Sequence, residues 1–137
     1  MELVPAGGVL GHFLAISNEL TTPKTLCCPQ DDTRKEVARF TNLRESDISY
    51  FIGLDARRDE PGMFLIGDRN ITNDFLPPNR ILELTSNSQV GWTEKIHQNQ
   101  GNVGLTDGSV SGLSTSRLRD ALANTGYPTN RLALPLY

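Results

Sequence analysis

The stretch "HQNQGNVGLTDGSV", His97 to Val110, decides how the chain is read. A histidine and an aspartate stand ten positions apart, a spacing that invites acid–base chemistry or a metal site. The glycines point to architecture instead. Asp107-Gly108 between the alternating runs "NVGLT" and "SVSGL" is among the strongest local hairpin signals, because a tight primed turn needs positive φ at both central residues. A two-residue loop places Leu105 opposite Val110 and Val103 opposite Gly112, with Leu105, Val103 and Val110 on the buried side. Asp107 then serves the turn, while His97 lies before the other end of the incoming strand. At ~3.3 Å per residue, five extended residues hold the two more than ~15 Å apart. That is out of reach of a shared proton relay or metal, and His97 is expected to anchor a neighbouring loop through a hydrogen bond.

Outward from the hairpin, the chain alternates short apolar runs with turn signals. Val9, Phe13, Ile16 and Leu20 form one apolar stripe, predicting a helix over about 8–20 that Pro23 stops. "TLCCP" is a short extended run. Thr33 and Glu36 stand at capping-box spacing, predicting a short helix or turn with Val37 and Phe40 as core contacts. "ISYFIGLDA" and "MFLIGDRNI", separated by "RRDEPG", predict an antiparallel pair. "ILEL" and "QVGWTEKIH" are further strands, the latter with a half-buried Trp92. Ser114 or Thr115 caps a last helix with Leu118, Ala121 and Leu122 on its apolar side and Gly126 at its end. The tail "YPTNRLALPLY" is extended. With 137 residues the chain is expected to be one domain of α+β class, a helix packed on an antiparallel sheet.

The net charge of −3, with no basic segment, gives no electrostatic case for nucleic acid or an anionic membrane. No run approaches the roughly 18 apolar residues of a bilayer span. Cys27 and Cys28 are adjacent, closer in Cα spacing than an ordinary disulfide, and are read as two thiols, at least one a small buried hydrophobe. His12 and His97 are the only histidines. With no Cys or His partner at ligand spacing, neither supports a zinc site. "GSVSG" has Val110 rather than serine at its centre and is a strand, not a nucleophile elbow. Asp55, Asp59, Glu60, Asp68 and Asp74 lie near strand ends. Asp55, Asp59 and Asp68 are the candidate calcium ligands, although the spacing matches no calcium loop. No phosphate-cradling loop or dinucleotide fingerprint occurs, so no small-molecule cofactor is expected.

His97, nine residues, then Asp107-Gly108 resembles the signature of the bacterial prepilin-type processing-associated proteins. "SNELTTPKTLCCPQD" (Ser17–Asp31), "ISYFIGLDA", "FLIGDRNIT" and "WTEKIH" are similar to further segments of that family, so the resemblance runs from about Asn18 to Leu132. It is nearest to pseudopilin-like proteins of planctomycete and verrucomicrobial type. The resemblance implies a type IV pilin or type II secretion pseudopilin architecture: an N-terminal helix, its apolar half anchored in the inner membrane, packed on an antiparallel sheet. It implies a non-enzymatic subunit, cleaved by a prepilin peptidase, that assembles with other pseudopilin or secretion-system subunits on the periplasmic side of the envelope. Some pseudopilins hold calcium in a loop. This chain begins "MELVPAGG" and departs from the pattern by lacking the basic leader and apolar anchor. It is expected to be the globular head trimmed of that anchor, with a paralogue that has lost it as the second reading.

Two functions follow. The first is a structural or interaction domain, the head of a pseudopilin-like subunit, with His97, Asp107 and Gly108 as architecture and no catalytic residue. The rival is a small secreted hydrolase or carbohydrate-binding module in which His97, Asp68 and Asp55 converge in a cleft.

Overall fold

The computed structural model describes residues 8–73 and 76–135. Its strands in chain order are β1 (Tyr50–Gly53), β2 (Phe64–Asp68), β3 (Ile71–Thr72), β4 (Ile81–Thr85), β5 (Gly91–Trp92), β6 (Gly101–Leu105), β7 (Val110–Leu113) and β8 (Thr129–Ala133). Six form one antiparallel sheet in the order β4-β8-β1-β2-β6-β7, and β3 pairs with β5 in a small ribbon. The α-helices among the described residues are α1 (Gly8–Ala15), α2 (Ser17–Leu20) and α3 (Thr115–Ala123), with short 3-10 turns at Pro23–Leu26, Phe40–Asn42 and Glu45–Asp47. The expected mixed α+β class with an antiparallel sheet is observed.

Successive strand residues point to opposite faces, and this sheet buries apolar side chains on both. Phe51, Phe64, Val103 and Leu132 pack with Leu118 and Leu122 of α3 and with Ile71 and Trp92 of the ribbon. On the other face Ile52, Ile66 and Ala133 join a cluster with Val9, Phe13, Leu26, Leu43 and Ile48. That second cluster draws no residue from β6 or β7. Above those strands a cavity of about 400 Å³ remains, lined in part by Ile66, Gly104 and Val110. The uncovered half-face is where the candidate site lies.

Several expectations are met. "ISYFIGLDA" and "MFLIGDRNI" supply the antiparallel pair β1–β2, with Phe51 opposite Gly67. "ILEL" is β4. The Ser114 side chain accepts the Arg117 N–H and caps α3, whose Leu118 and Leu122 are buried, and Gly126 takes φ +81° just beyond it.

Others need correction. The stripe from Val9 to Leu20 is not one helix: the chain breaks at Ile16, whose N–H bonds back to Phe13 in a tight turn, and Ile16 is 44% exposed. Of the helix or turn expected at Thr33, the turn forms, closed by the Arg34 N–H on the Asp31 carbonyl; the Thr33 hydroxyl is taken by Asp31 and Arg69 instead of capping a helix. "QVGWTEKIH" pairs only at Gly91–Trp92, and Trp92 is buried rather than half buried. The tail is extended as expected, and it contributes β8, an interior strand between β4 and β1.

The hairpin at Asp107-Gly108 is real, but its register differs by one residue. Gly104 pairs with Val110 and Val103 with Ser111, so the loop is Thr106-Asp107-Gly108. Only Gly108, at φ +89°, is left-handed there. A three-residue loop with glycine in the left-handed position is the next commonest hairpin closure. Here the Asp107 carboxylate favours it by accepting both the N–H and the hydroxyl of Ser109. The one-residue shift moves Val110 to the opposite face from Val103, and it is 71% exposed instead of buried.

A second glycine answers to space rather than to φ. Between Phe64 and Ile66, β2 carries an extra residue against β6, and a Cβ on Gly53 of β1 would stand 1.8 Å from the Phe64 carbonyl oxygen. Gly53→Ala is therefore expected to cost about 1–3 kcal/mol by forcing the strands apart. Gly108→Val, which meets nothing within 4 Å and has only backbone strain to absorb, should cost about 1–2 kcal/mol. Urea unfolding of both variants against the parent measures the two costs.

Candidate functional site

The site is assembled by three consecutive residues at the end of β2. Asp68 points into the uncovered half-face. Its Oδ2 accepts hydrogen bonds from the Asn102 N–H (2.7 Å) and the Asn102 side-chain amide (3.1 Å). Arg69 turns to the loop after "TLCCP", where its Nε and one terminal nitrogen each donate to a different Asp31 oxygen at 2.6 Å. Asn70 reaches the loop between β5 and β6, its amide nitrogen 2.9–3.0 Å from the carbonyl oxygens of Thr93, Ile96 and Gln100. All three are buried.

These grips bring two distant loops over Asp68. Ser49, just before β1, accepts the Cys28 N–H at 2.9 Å; the Asp31 N–H bonds to the Cys28 carbonyl. Cys28 is thereby fixed with its thiol toward the cavity. On the other side, His97, Gln98 and Asn99 run at φ of 53°, 52° and 64°. Each such residue costs on the order of 1–2 kcal/mol outside glycine. The turn sets the imidazole at the mouth: His97 Nε2 lies 3.3 Å from Asp68 Oδ2 and 3.4 Å from Cys28 Sγ. One ligand atom from each of Cys28, Asp68 and His97 lies within 4.8 Å of the others.

The electrostatics do not prepare a nucleophile. Burial raises the Cys28 thiol above its ordinary value, and the nearby Asp68 and Asp31 carboxylates push the same way against a backbone hydrogen bond from Gln30. A reactive thiolate needs cationic or helix N-terminal surroundings. Tyr50, which also lines the cavity, is pushed up to about 12 by burial and by Cys28 and Asp68. The geometry argues likewise. In a nucleophile–base–carboxylate relay the two partners engage opposite ring nitrogens, whereas Cys28 and Asp68 both meet Nε2. The arrangement does suit convergent ligation.

The structure sorts the sequence candidates plainly. His97 and Asp68 meet, but Asp55 does not join them: its carboxylate receives the Arg131 N–H at 2.8 Å and the Arg131 guanidinium, beyond the far end of β1. The cleft of His97, Asp68 and Asp55 required by the hydrolase reading is therefore not formed. Asp55, Asp59 and Asp68 do not gather either, since Asp59 is exposed beside Arg57 and Asp68 faces Asn102 and His97. The proposed calcium trio fails because Asp55 is neutralised by an arginine and Asp68 sits among nitrogen and sulfur groups. Asp74 lies outside the described residues. Asp107 is in the exposed turn, where the hydroxyl and N–H of Ser109 hold its carboxyl below the usual range, and β6 separates it from His97.

His97 lacks a Cys or His neighbour only in sequence. At least one of Cys27 and Cys28 is expected to be buried, and it is Cys28, 69 positions away from His97 in sequence, that the structure buries. The signal lay in the three quoted segments "TLCCPQD", "FLIGDRNIT" and the His97 signature, each of which supplies one member of the trio. No family model, curated protein or solved structure matches the chain.

The Asp31–Arg69 pair gives a pH-dependent prediction. Burial alone would raise the Asp31 carboxyl, but the hydrogen bonds and charge of Arg69, with help from Ser49 and Thr33, outweigh it and leave it below its ordinary value. A folded-state value below the unfolded one means that the unfolded chain binds the proton first. The pair's stabilisation is thus present above about pH 4 and lost as pH falls through the lower, folded value. Asp31→Asn should cost about 3–5 kcal/mol at neutral pH by stranding a buried guanidinium. It should also flatten the acid limb of the stability curve. Urea midpoints measured from neutral pH to about pH 3 check both.

Proposed function

We propose that the chain is the globular, non-enzymatic head of a pseudopilin-like subunit of a type II secretion or type IV pilus-like system, with other subunits of that system as its partners. In this reading α1 packs against the antiparallel sheet as the visible remnant of a pilin-like layer. The observation that carries it is the placement of the signature. Asp107-Gly108 turns the outermost hairpin of the sheet and His97 closes the other end of β6, so both ends of the motif build the β6–β7 face. That face ends in β7, an edge strand with an exposed backbone and with Val110 71% exposed, and unpaired edges are where chains add to one another.

No helix among the described residues is long and apolar enough to cross a membrane, so attachment to the envelope would fall to a segment beyond them. The reading is tested in native cells with an antibody against this chain. It predicts a protein in the envelope fraction, degraded by added protease in spheroplasts but protected in intact cells, and cross-linked to pseudopilin subunits. A protein recovered in the cytosol and protected in spheroplasts would overturn it.

A further inference from the structure

We propose that Cys28, Asp68 and His97 form a zinc site with three protein ligands and a fourth position open to the cavity above β6 and β7. The argument begins with what hydrogen bonding leaves unexplained. His97 Nε2 carries at most one hydrogen, yet it faces the Asp68 carboxylate at 3.3 Å and the Cys28 sulfur at 3.4 Å. If the hydrogen is present it is given to Asp68 or shared with the sulfur at long range; if absent, the Cys28 S–H can serve Nε2 but the nitrogen lone pair also faces a carboxylate. One cation between the three satisfies all of them.

The spacing fits that cation. With Zn–N and Zn–O near 2.0–2.1 Å and Zn–S near 2.3 Å, tetrahedral ligands stand roughly 3.3 Å apart for an N···O edge and 3.6 Å for an N···S edge. The observed separations of 3.3 and 3.4 Å lie close to these edges, and the sulfur and carboxylate are within 4.8 Å of each other. An N–H···O bond would instead favour about 2.9 Å.

The donor set selects the metal. A thiolate and an imidazole reject calcium and magnesium, which take oxygen ligands, and the carboxylate disfavours copper(I), which prefers sulfur. Thiolate, imidazole and carboxylate together suit zinc. The surroundings supply the outer support that metal sites depend on: Asn102 orients the Asp68 carboxylate through two hydrogen bonds, Ser49 holds the Cys28 backbone, and Asn70 fixes the strained His97 turn. Tyr50, Gly104 and Val110 line the cavity on the open side. A water or one donor from a ligand entering that cavity would complete the sphere. This inference is independent of the envelope reading, because it concerns ligand chemistry and not location.

The test uses the whole chain, stripped with chelator under reducing conditions and titrated with cobalt(II) and zinc(II). Cobalt should bind at one equivalent per chain, give a thiolate-to-cobalt charge-transfer band and tetrahedral d–d absorption, and be displaced by one equivalent of zinc. Zinc should raise the melting temperature, as any ligand specific for the folded state must. Cys28→Ser should abolish the charge-transfer band and His97→Gln should weaken zinc binding by about 100-fold or more, while Cys27→Ser should leave both intact. The parent protein alone can overturn the proposal: no saturable uptake, or uptake without a thiolate band, ends it whether or not any variant folds. Loss of the band in Cys27→Ser but not in Cys28→Ser would end it equally.

Discussion

The buried Asp31–Arg69 ion pair is the constraint on which the site depends. It is bidentate, with both bonds at 2.6 Å and both side chains almost wholly withdrawn from water. Such a pair is a poor source of net stability, since desolvating two charges offsets most of their attraction, but breaking it is costly. Its effect here is positional. Arg69 is flanked by Asp68 and Asn70, so one tripeptide at the end of β2 presents the site carboxylate, holds the Cys28 loop and clamps the His97 loop. Two segments 69 residues apart in sequence, Cys28 and His97, meet because both are tied to adjacent residues that follow the same strand.

The costs accumulate in one place. Three successive left-handed residues at His97–Asn99, a buried ion pair and a thiol within 4.8 Å of a carboxylate would each be eliminated if the region had only to be stable. A pocket filled with leucine would serve that end better. Strain of this kind persists where surrounding structure over-determines it, and it clusters at ligand sites. The rest of the molecule shows no comparable concentration among the described residues. The face covered by α3 is a plain apolar layer of Phe51, Phe64, Leu118, Leu122 and their neighbours.

How much of this could be read from the sequence follows the range of the interactions. The β1–β2 pair, the Ser114 cap and the Asp-Gly turn are local, and their residues announce them. The hairpin register was missed because Asp107 was assigned left-handed backbone, whereas its side chain closes on Ser109 and leaves only Gly108 in that region. The same kind of competition decides for the turn over the helix at Thr33, whose hydroxyl serves the Asp31–Arg69 pair. The tail's role as β8 and the approach of Cys28 to His97 are non-local. Alternating or buried residues say that a strand or thiol will be inside, not what will lie beside it.

The nine-residue spacing between His97 and Asp107 has a structural origin. Gln98, Asn99 and Gln100 complete the left-handed turn, the five residues of β6 cross the sheet, and Thr106 opens the loop that Asp107-Gly108 closes. Both ends are fixed: one by Asn102 against Asp68 and Asn70 against the His97 turn, the other by Thr106 and Asp107 N–H groups bonded to the Met63 and Pro61 carbonyls. Adding or removing one residue would exchange the faces of β6, carrying Asn102 away from Asp68 or turning Val103 out of the core. The spacing is a ruler set by one strand crossing, which is why His97 and Asp107 can be held at a fixed separation in sequence without touching.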